Sequence, residues 1–295
     1  MHPIGIGTWD MGGGRHEDGT VFADYRHDGR EVAAIRHSLA NGQNHIDTAQ
    51  LYGAGHTEEI VGKAIQDIPR ESIYLASKIW SSHLLRHAVV RQVQDMLKRL
   101  GTEYLDLLYV HAPWDIVPMA EYVCGMNEAL EMGLVRALGV SNFNLEQLRK
   151  AIEISSSPIV ANQLLYNIVD RGVVADEHMR FAEENAIAIV AYRPVERKML
   201  ADNTENETVL GIAAKYNRPV SQIAINWLIG QKAVVTIPKA SSPSHIEENL
   251  GALEFELSSA DRAVLDGVAG STQESVFGGE NGHGTLGSHR SGRRL

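Results

Sequence analysis

The chain predicts an α/β protein, a single-domain (β/α)8 barrel of the TIM type, on three observations. Eight short apolar runs of strand character alternate from end to end with segments of helical spacing. The runs recur about every 30 residues through the seventh, the length of one βα unit, and such alternation implies a parallel sheet. Eight units in roughly 250 structured residues match a closed barrel. The alternative is an open, doubly wound sheet. It is disfavoured because no Gly-x-Gly-x-x-Gly follows the first run; Gly12-Gly13-Gly14 reads as a loop cluster.

Taken in order, residues 4–8 are the first strand and 30–40 the first helix. The second strand, 44–47, leads to a helix at 57–66. The third, 73–78, is followed by 84–100, where Val89, Val93, Met96, Leu97 and Leu100 fall at helical spacing. Then come strand 105–111 with helix 120–131, and strand 135–140 with helix 145–154, which Asn144 and Gln147 open as a capping box. The last three strands are 159–163, 188–192 and 234–238, with an extra helix at 221–229 between the last two. Connections 10–29 and 193–206 exceed the usual βα loop and are expected to rise from the catalytic face as pocket walls or lids. Beyond a barrel domain of residues 1–270, Gly, Ser and charged residues dominate 271–295, which is expected to be a disordered tail.

Composition narrows the function. A net charge of −10, from 27 Lys+Arg against 37 Asp+Glu, argues against a nucleic-acid binder. The start lacks the pattern of a signal peptide, and no apolar run approaches the roughly 18 residues of a membrane span. Cys124, the one cysteine, has no internal partner and reads as a small helix residue, so a reducing, cytoplasmic setting is expected. The 13 histidines include His83 and His87 four apart and His45 beside Asp47, yet neither grouping completes a ligand set, so no metal is expected.

The informative residues stand where the strands stop. Asp47, Lys78, His111, Asn142, Gln163, Tyr192 and Lys239 close successive runs, and Tyr52 follows Asp47 by five positions. In a barrel all of them share the carboxyl-end rim, where such enzymes carry their active sites. An acid, a base, a phenol and an imidazole converging there form a proton-transfer site. On residue type alone, plainer readings stay open: a rim salt bridge for Asp47 and Lys78, loop packing for Tyr52, and a hydrogen-bonded core histidine for His111. An ammonium about 4 Å from a phenolate stabilises it by roughly 4 kcal/mol at an effective dielectric near 20. The tyrosine pKa is therefore expected to fall below its ordinary value near ~10.

The motifs Asn44-His45-Ile46-Asp47-Thr48-Ala49, Tyr52-Gly53, Ser77-Lys78, Val110-His111, Gly139-Val140-Ser141-Asn142-Phe143, Asn162-Gln163 and Ile237-Pro238-Lys239 together resemble the aldo-keto reductase family. The likeness runs from about residue 4 to residue 268. It implies a barrel that binds NADPH, or NADH, without a Rossmann fold and reduces a small aldehyde or ketone. Asp47, Tyr52, Lys78 and His111 match the family's catalytic four: Tyr52 as general acid, Lys78 and Asp47 tuning it, His111 orienting the carbonyl.

The resemblance also implies the cofactor residues. Ser141, Asn142 and Gln163 suit the carboxamide, Tyr192 stacks on the nicotinamide, and Thr8 and Arg193 join the set. Lys239 and His245 take the adenosine 2′-phosphate, with Glu248 and Asn249 near the adenine and Pro243 opening a helix beside them. Two departures weaken that end: Ala240 replaces a common serine and His245 a common arginine. A third, Arg193-Pro194-Val195 in place of the usual Ser-Pro-Leu, alters the pyrophosphate contacts, where Arg193 can itself engage phosphate. Trp9, Trp80 and Trp114 follow three strands and suit an aromatic pocket wall, whereas Trp227 reads as core. Two further readings of the same barrel are a cofactor-bound regulatory protein with little turnover, and a Schiff-base aldolase using Lys78; Asp47 disfavours the second by keeping Lys78 charged.

Overall fold

A computed structural model describes residues 1–16, 19–80, 85–114, 116–171, 174, 176–195 and 207–268. The expected tail at 271–295, most of the 193–206 loop and His83 lie outside the described residues.

Each predicted apolar run contributes a strand. Strand β1 (Ile6–Gly7) is followed by β2 (Gly13–Arg15) and β3 (Val21–Ala23), then helix α1 (Asp28–Ala40). Next come β4 (His45–Asp47) with α2 (His56–Ile65), β5 (Tyr74–Ile79) with α3 (Arg86–Leu100), and β6 (Leu107–Val110) with α4 (Met119–Glu131). They are followed by β7 (Leu138–Ser141) with α5 (Leu145–Ile154), β8 (Ile159–Leu165) with α6 (Asp176–Glu184), and β9 (Ala188–Tyr192) with α7 (Glu207–Tyr216) and α8 (Val220–Ile229). The described chain ends in β10 (Val234–Thr236), α9 (Pro243–Leu250) and α10 (Ser259–Asp266).

Eight strands form one parallel sheet in chain order, β1-β4-β5-β6-β7-β8-β9-β10. Ile4 and Gly7 also make isolated parallel bridges to Thr236 and Lys239. Backbone hydrogen bonds accompany them, with Gly5 donating to the Thr236 carbonyl at 2.8 Å and Thr236 donating to the Pro3 carbonyl at 3.0 Å.

The sheet is buried on both faces, which is why its strands read as continuous apolar runs rather than alternating ones. In β6, Leu108 and Val110 join the large core beneath the helices, while Leu107 and Tyr109 pack inside with Ala76, Ala161, Val190 and Ile237. Tyr109 fits there because its neighbour is glycine: a Cβ on Gly139 would lie 2.7 Å from the Tyr109 ring. Lys78 pairs with Tyr109 and stands two residues beyond Ala76, so it projects from the same inner face.

One element was not anticipated. The expected loop at 10–29 carries the antiparallel hairpin β2–β3 against the 3₁₀ turn Tyr52–Gly55. Glycines hid it, yet Gly13 is required: its φ is 145°, and a Cβ would meet the Phe22 carbonyl oxygen at 1.9 Å. The capping signals were legible. Asn144 and Gln147 form the full box on α5, and Ser242 with Pro243 opens α9. Trp227 is core, its indole donating to Asp266 at 2.8 Å.

His45 is fully buried on β4 against Tyr74, with neither ring nitrogen hydrogen-bonded. Burial pushes its pKa down to about 4; nearby Asp47 opposes this and Lys78 reinforces it. An unfolded histidine titrates near ~6.5, so between those values the unfolded chain holds the extra proton and stability rises with pH. As pH falls from about 6.5 to about 4 the fold should lose about 3 kcal/mol through this residue, and nothing further below. Urea unfolding of wild type and His45→Leu across this window checks it: the variant's stability should depend less on pH, and parallel slopes would refute the assignment.

Candidate active site

The four strand-end residues meet. Lys78 Nζ donates to Asp47 Oδ1 at 2.5 Å and to the Thr48 carbonyl at 2.9 Å, and stands 3.3 Å from the Tyr52 hydroxyl. Gln163 holds the other carboxylate oxygen of Asp47, donating from Nε2 at 2.8 Å. Tyr52 reaches the cluster because the chain turns at once after β4 into the 3₁₀ segment. The Tyr52 and His111 rings stand edge to face, 5.6 Å between centroids. Trp9 packs edge-on against Tyr52 at 4.9 Å, and Trp80 does the same to His111 at 5.4 Å with Trp114 behind it at 5.6 Å.

Burial governs the charges. Lys78 is 0% exposed, and burial alone would strip its proton, but Asp47 and then Tyr52 outweigh this and hold its pKa above the ordinary lysine value. His111 is pushed well below the usual histidine range, first by burial, then by the Lys78 and Arg15 charges. It is therefore neutral at pH 7 and can offer an N–H without carrying charge. For Tyr52 the sequence expectation is reversed. Its pKa lies above the ordinary tyrosine value, because burial is the largest influence and Asp47 adds to it, while Lys78 pulls the other way without prevailing. A buried phenolate loses its hydration, and that loss outweighs the attraction of the Lys78 charge. Tyr52 thus keeps its proton across the neutral range.

A cavity of about 610 Å³ opens beside this cluster. Trp9, Asp47, Tyr52 and His111 line one end together with Ser141, Asn142, Gln163 and Tyr192. Arg193, Val195, Val220 and Ile237 line the middle; Lys239, His245, Glu248 and Asn249 line the far end. Ten of the predicted cofactor residues were named from sequence, and nine line this cavity. Thr8 does not: it is buried and donates its hydroxyl to the Asp47 carbonyl at 3.0 Å, bracing the strand end instead. Trp80 and Trp114 back His111 rather than line the cavity, whereas Trp9 lines it directly.

The carboxamide-type groups are pre-oriented by one another. Asn142 has φ 62°, the left-handed region that asparagine tolerates better than most residues. Its Nδ2 donates to the His111 carbonyl at 2.9 Å and to Ser141 Oγ at 3.1 Å, and its Oδ1 accepts from the Tyr192 hydroxyl at 2.8 Å. Tyr192 is thereby locked by its tip, leaving a ring face as a platform. Arg193, also left-handed at φ 51°, is held through its carbonyl by Asn167 Nδ2 at 3.0 Å.

Sequence reasoning missed several contributors. Pro219, Val220 and Ser221 bring the start of α8 into the wall, and the Ser221 hydroxyl donates to Glu248 at 2.5 Å. The proline before an apolar helix was the available signal. Asp10 bonds Lys239 at 3.0 Å, and no local pattern announces a partner 229 residues away.

Residues 3–269 match the Aldo/keto reductase family. The chain belongs to that family and is an NAD(P)H-dependent oxidoreductase that reduces carbonyl groups. It is 31% identical to methylglyoxal reductase YeaE of Escherichia coli K12 over 266 residues, 89% of each chain. Among solved structures, it is similar to the thermostable aldo-keto reductase Tm1743 bound to the inhibitor epalrestat, with 39% identity, a TM-score of 0.86, and 91% of this chain and 96% of that one covered. An aldo/keto reductase from Klebsiella pneumoniae in complex with NADP and acetate matches at 31% identity and a TM-score of 0.80, covering 93% and 94%. Among the described residues no helix is long and apolar enough to cross a membrane.

Proposed function

We propose that the chain is a single-domain, closed (β/α)8 barrel over residues 1–270 whose Asp47–Tyr52–Lys78–His111 cluster reduces small aldehydes, with NADPH bound along the large cavity and NADH also accepted. The bridges from Ile4 and Gly7 to Thr236 and Lys239 support closure. The donor set suits a nicotinamide dinucleotide. Amide and hydroxyl groups gather at the catalytic end, Val195, Val220 and Ile237 give an apolar middle, and Lys239 with His245 sits at the far end where a phosphate needs charge. Ser141, Asn142 and Gln163 would hold the carboxamide, Tyr192 the ring face, Arg193 the pyrophosphate, and Glu248 with Asn249 the adenine side. When bound, the dinucleotide supplies the hydride.

The chain's own residues supply the rest. His111, neutral, donates a hydrogen bond that polarises the substrate carbonyl oxygen. Tyr52, still protonated, gives its proton to that oxygen as negative charge develops there. Lys78 Nζ, 3.3 Å from the hydroxyl, stabilises the phenolate left behind, and Asp47 with the Thr48 carbonyl keeps Lys78 charged and aimed. Trp9 and the apolar wall exclude water and accept small apolar or planar substituents. The 2.5 and 3.3 Å contacts that link Asp47, Lys78 and Tyr52 carry this reading. Cys124, the one cysteine, is compatible with a cytoplasmic setting.

Small ketoaldehydes of the methylglyoxal type are the expected substrates, supported by the Escherichia coli relative. A panel of aldehydes and ketones, methylglyoxal included, assayed with NADPH and NADH in parallel tests this. Turnover at about 1–10³ s⁻¹ on at least one aldehyde is the expected result. Tight NADPH binding with no turnover on any member would favour the regulatory barrel instead.

A further inference from the structure

The far end of the large cavity is nearly neutral, although it is the end that should receive a phosphate. Among the described residues Lys239 is its one permanent cation, and that ammonium is bonded to the Asp10 carboxylate at 3.0 Å. Asp10 does not line the large cavity; it lines a second, polar one of about 270 Å³ whose walls carry Asp24 and Glu31 as further acids and Arg30, His27 and Lys239 as basic groups. Lys239 therefore stands between two cavities, and its ammonium is bonded to a carboxylate of the second. The other acids there are already engaged, since Arg26 bonds Asp24 at 2.6–3.1 Å and the Gly12 amide donates to Glu31 at 2.8 Å. Arg30 and His27 line the second cavity beside Lys239, and neither lines the large one. Ala240 is buried and offers no hydroxyl, His245 carries no permanent charge, and Glu248 adds a further carboxylate to the same wall.

We propose that Asp10 sets the coenzyme preference of this enzyme: its carboxylate neutralises Lys239 and repels a 2′-phosphate, so that NADPH and NADH bind with comparable strength. The inference rests on the assignment of Lys239 to the 2′-phosphate. A ribose 2′-hydroxyl needs no cation and meets no repulsion there, whereas a phosphate monoester of charge about −1.5 to −2 must displace Asp10 from Lys239 and remain beside it. The pair is exposed, at 41% and 55% of the two side chains, so breaking it is cheap and the effect is one of selectivity rather than exclusion. Asp10 itself has φ 67°, a left-handed backbone conformation.

Asp10→Asn is the decisive variant because asparagine keeps the left-handed conformation and removes only the charge. Dissociation constants of NADPH, NADH, 2′,5′-ADP and ADP, read by protein fluorescence and calorimetry, are compared for wild type, Asp10→Asn, Lys239→Ala and the double variant. Asp10→Asn should bind NADPH and 2′,5′-ADP about three- to tenfold more tightly while NADH and ADP stay within about twofold. The gain should shrink when Lys239 is absent, and it should fall as salt is raised. If Lys239→Ala weakens NADPH but Asp10→Asn leaves the NADPH-to-NADH ratio unchanged, the phosphate assignment stands and the role given to Asp10 is wrong. If Asp10→Asn weakens both coenzymes alike, Asp10 acts on a part they share, and the proposal is overturned. Unchanged NADPH binding in Lys239→Ala removes the phosphate assignment and the proposal with it.

Discussion

Tyr52→Phe is expected to lower kcat for aldehyde reduction by about 10²–10⁴-fold while NADPH affinity stays within about twofold. The variant deletes one oxygen from a ring held edge-on by Trp9 and His111, so packing and the cavity survive. What disappears is the proton donor 3.3 Å from the Lys78 ammonium. Because burial raises the Tyr52 pKa, the phenol stays protonated over the neutral range, and the wild-type enzyme should hold its reductive activity up to alkaline pH. Stopped-flow or steady-state turnover together with a fluorescence titration of NADPH separates the two effects. A kcat within tenfold of wild type would show that another group gives the proton.

The second large effect belongs to Asp47. Asp47→Asn should cost about 3–5 kcal/mol of stability at neutral pH, because it leaves a fully buried ammonium without its counter-ion. The pH dependence should also change sign. In the wild type the Lys78 pKa is raised, so the stability this pair contributes is complete at neutral pH and is lost only as pH climbs past the lysine range. With Asp47 gone, burial is the dominant influence and pulls the Lys78 pKa down. The unfolded chain then holds the extra proton, and the variant's stability rises with pH through the neutral range. Urea midpoints between pH 6 and 9, set beside the double variant Asp47→Leu/Lys78→Met, are the measurement. The double variant should recover most of the stability and none of the activity. If Asp47→Asn matches wild type at pH 7, the pair is not the stabilising unit described here.

Much of this molecule is local in origin and was readable as such. Leu107, Leu108, Tyr109 and Val110 are all apolar because a parallel strand is buried on both faces, and the run marks its own end at His111. The same holds at Asp47 and Tyr192, the last residues of β4 and β9. Asn144 and Gln147 announced α5 within four residues. The hairpin at Gly13–Arg15 and Val21–Ala23 was not readable, since its first strand is glycine-rich and its pairing depends on the turn that carries Tyr52.

By itself, then, the sequence determined which residues stand at the strand ends, in what order, and hence which side chains can share a rim, because periodicity and caps are properties of neighbouring residues. Only the tertiary structure decided how those side chains behave. It showed Thr8 bracing the Asp47 carbonyl rather than facing the cavity, Tyr52 shifted upward rather than downward, and Lys239 tied to Asp10. Each of these outcomes is set by desolvation and by charges brought close through space. The strength of both depends on burial and distance, quantities that a linear chain does not contain.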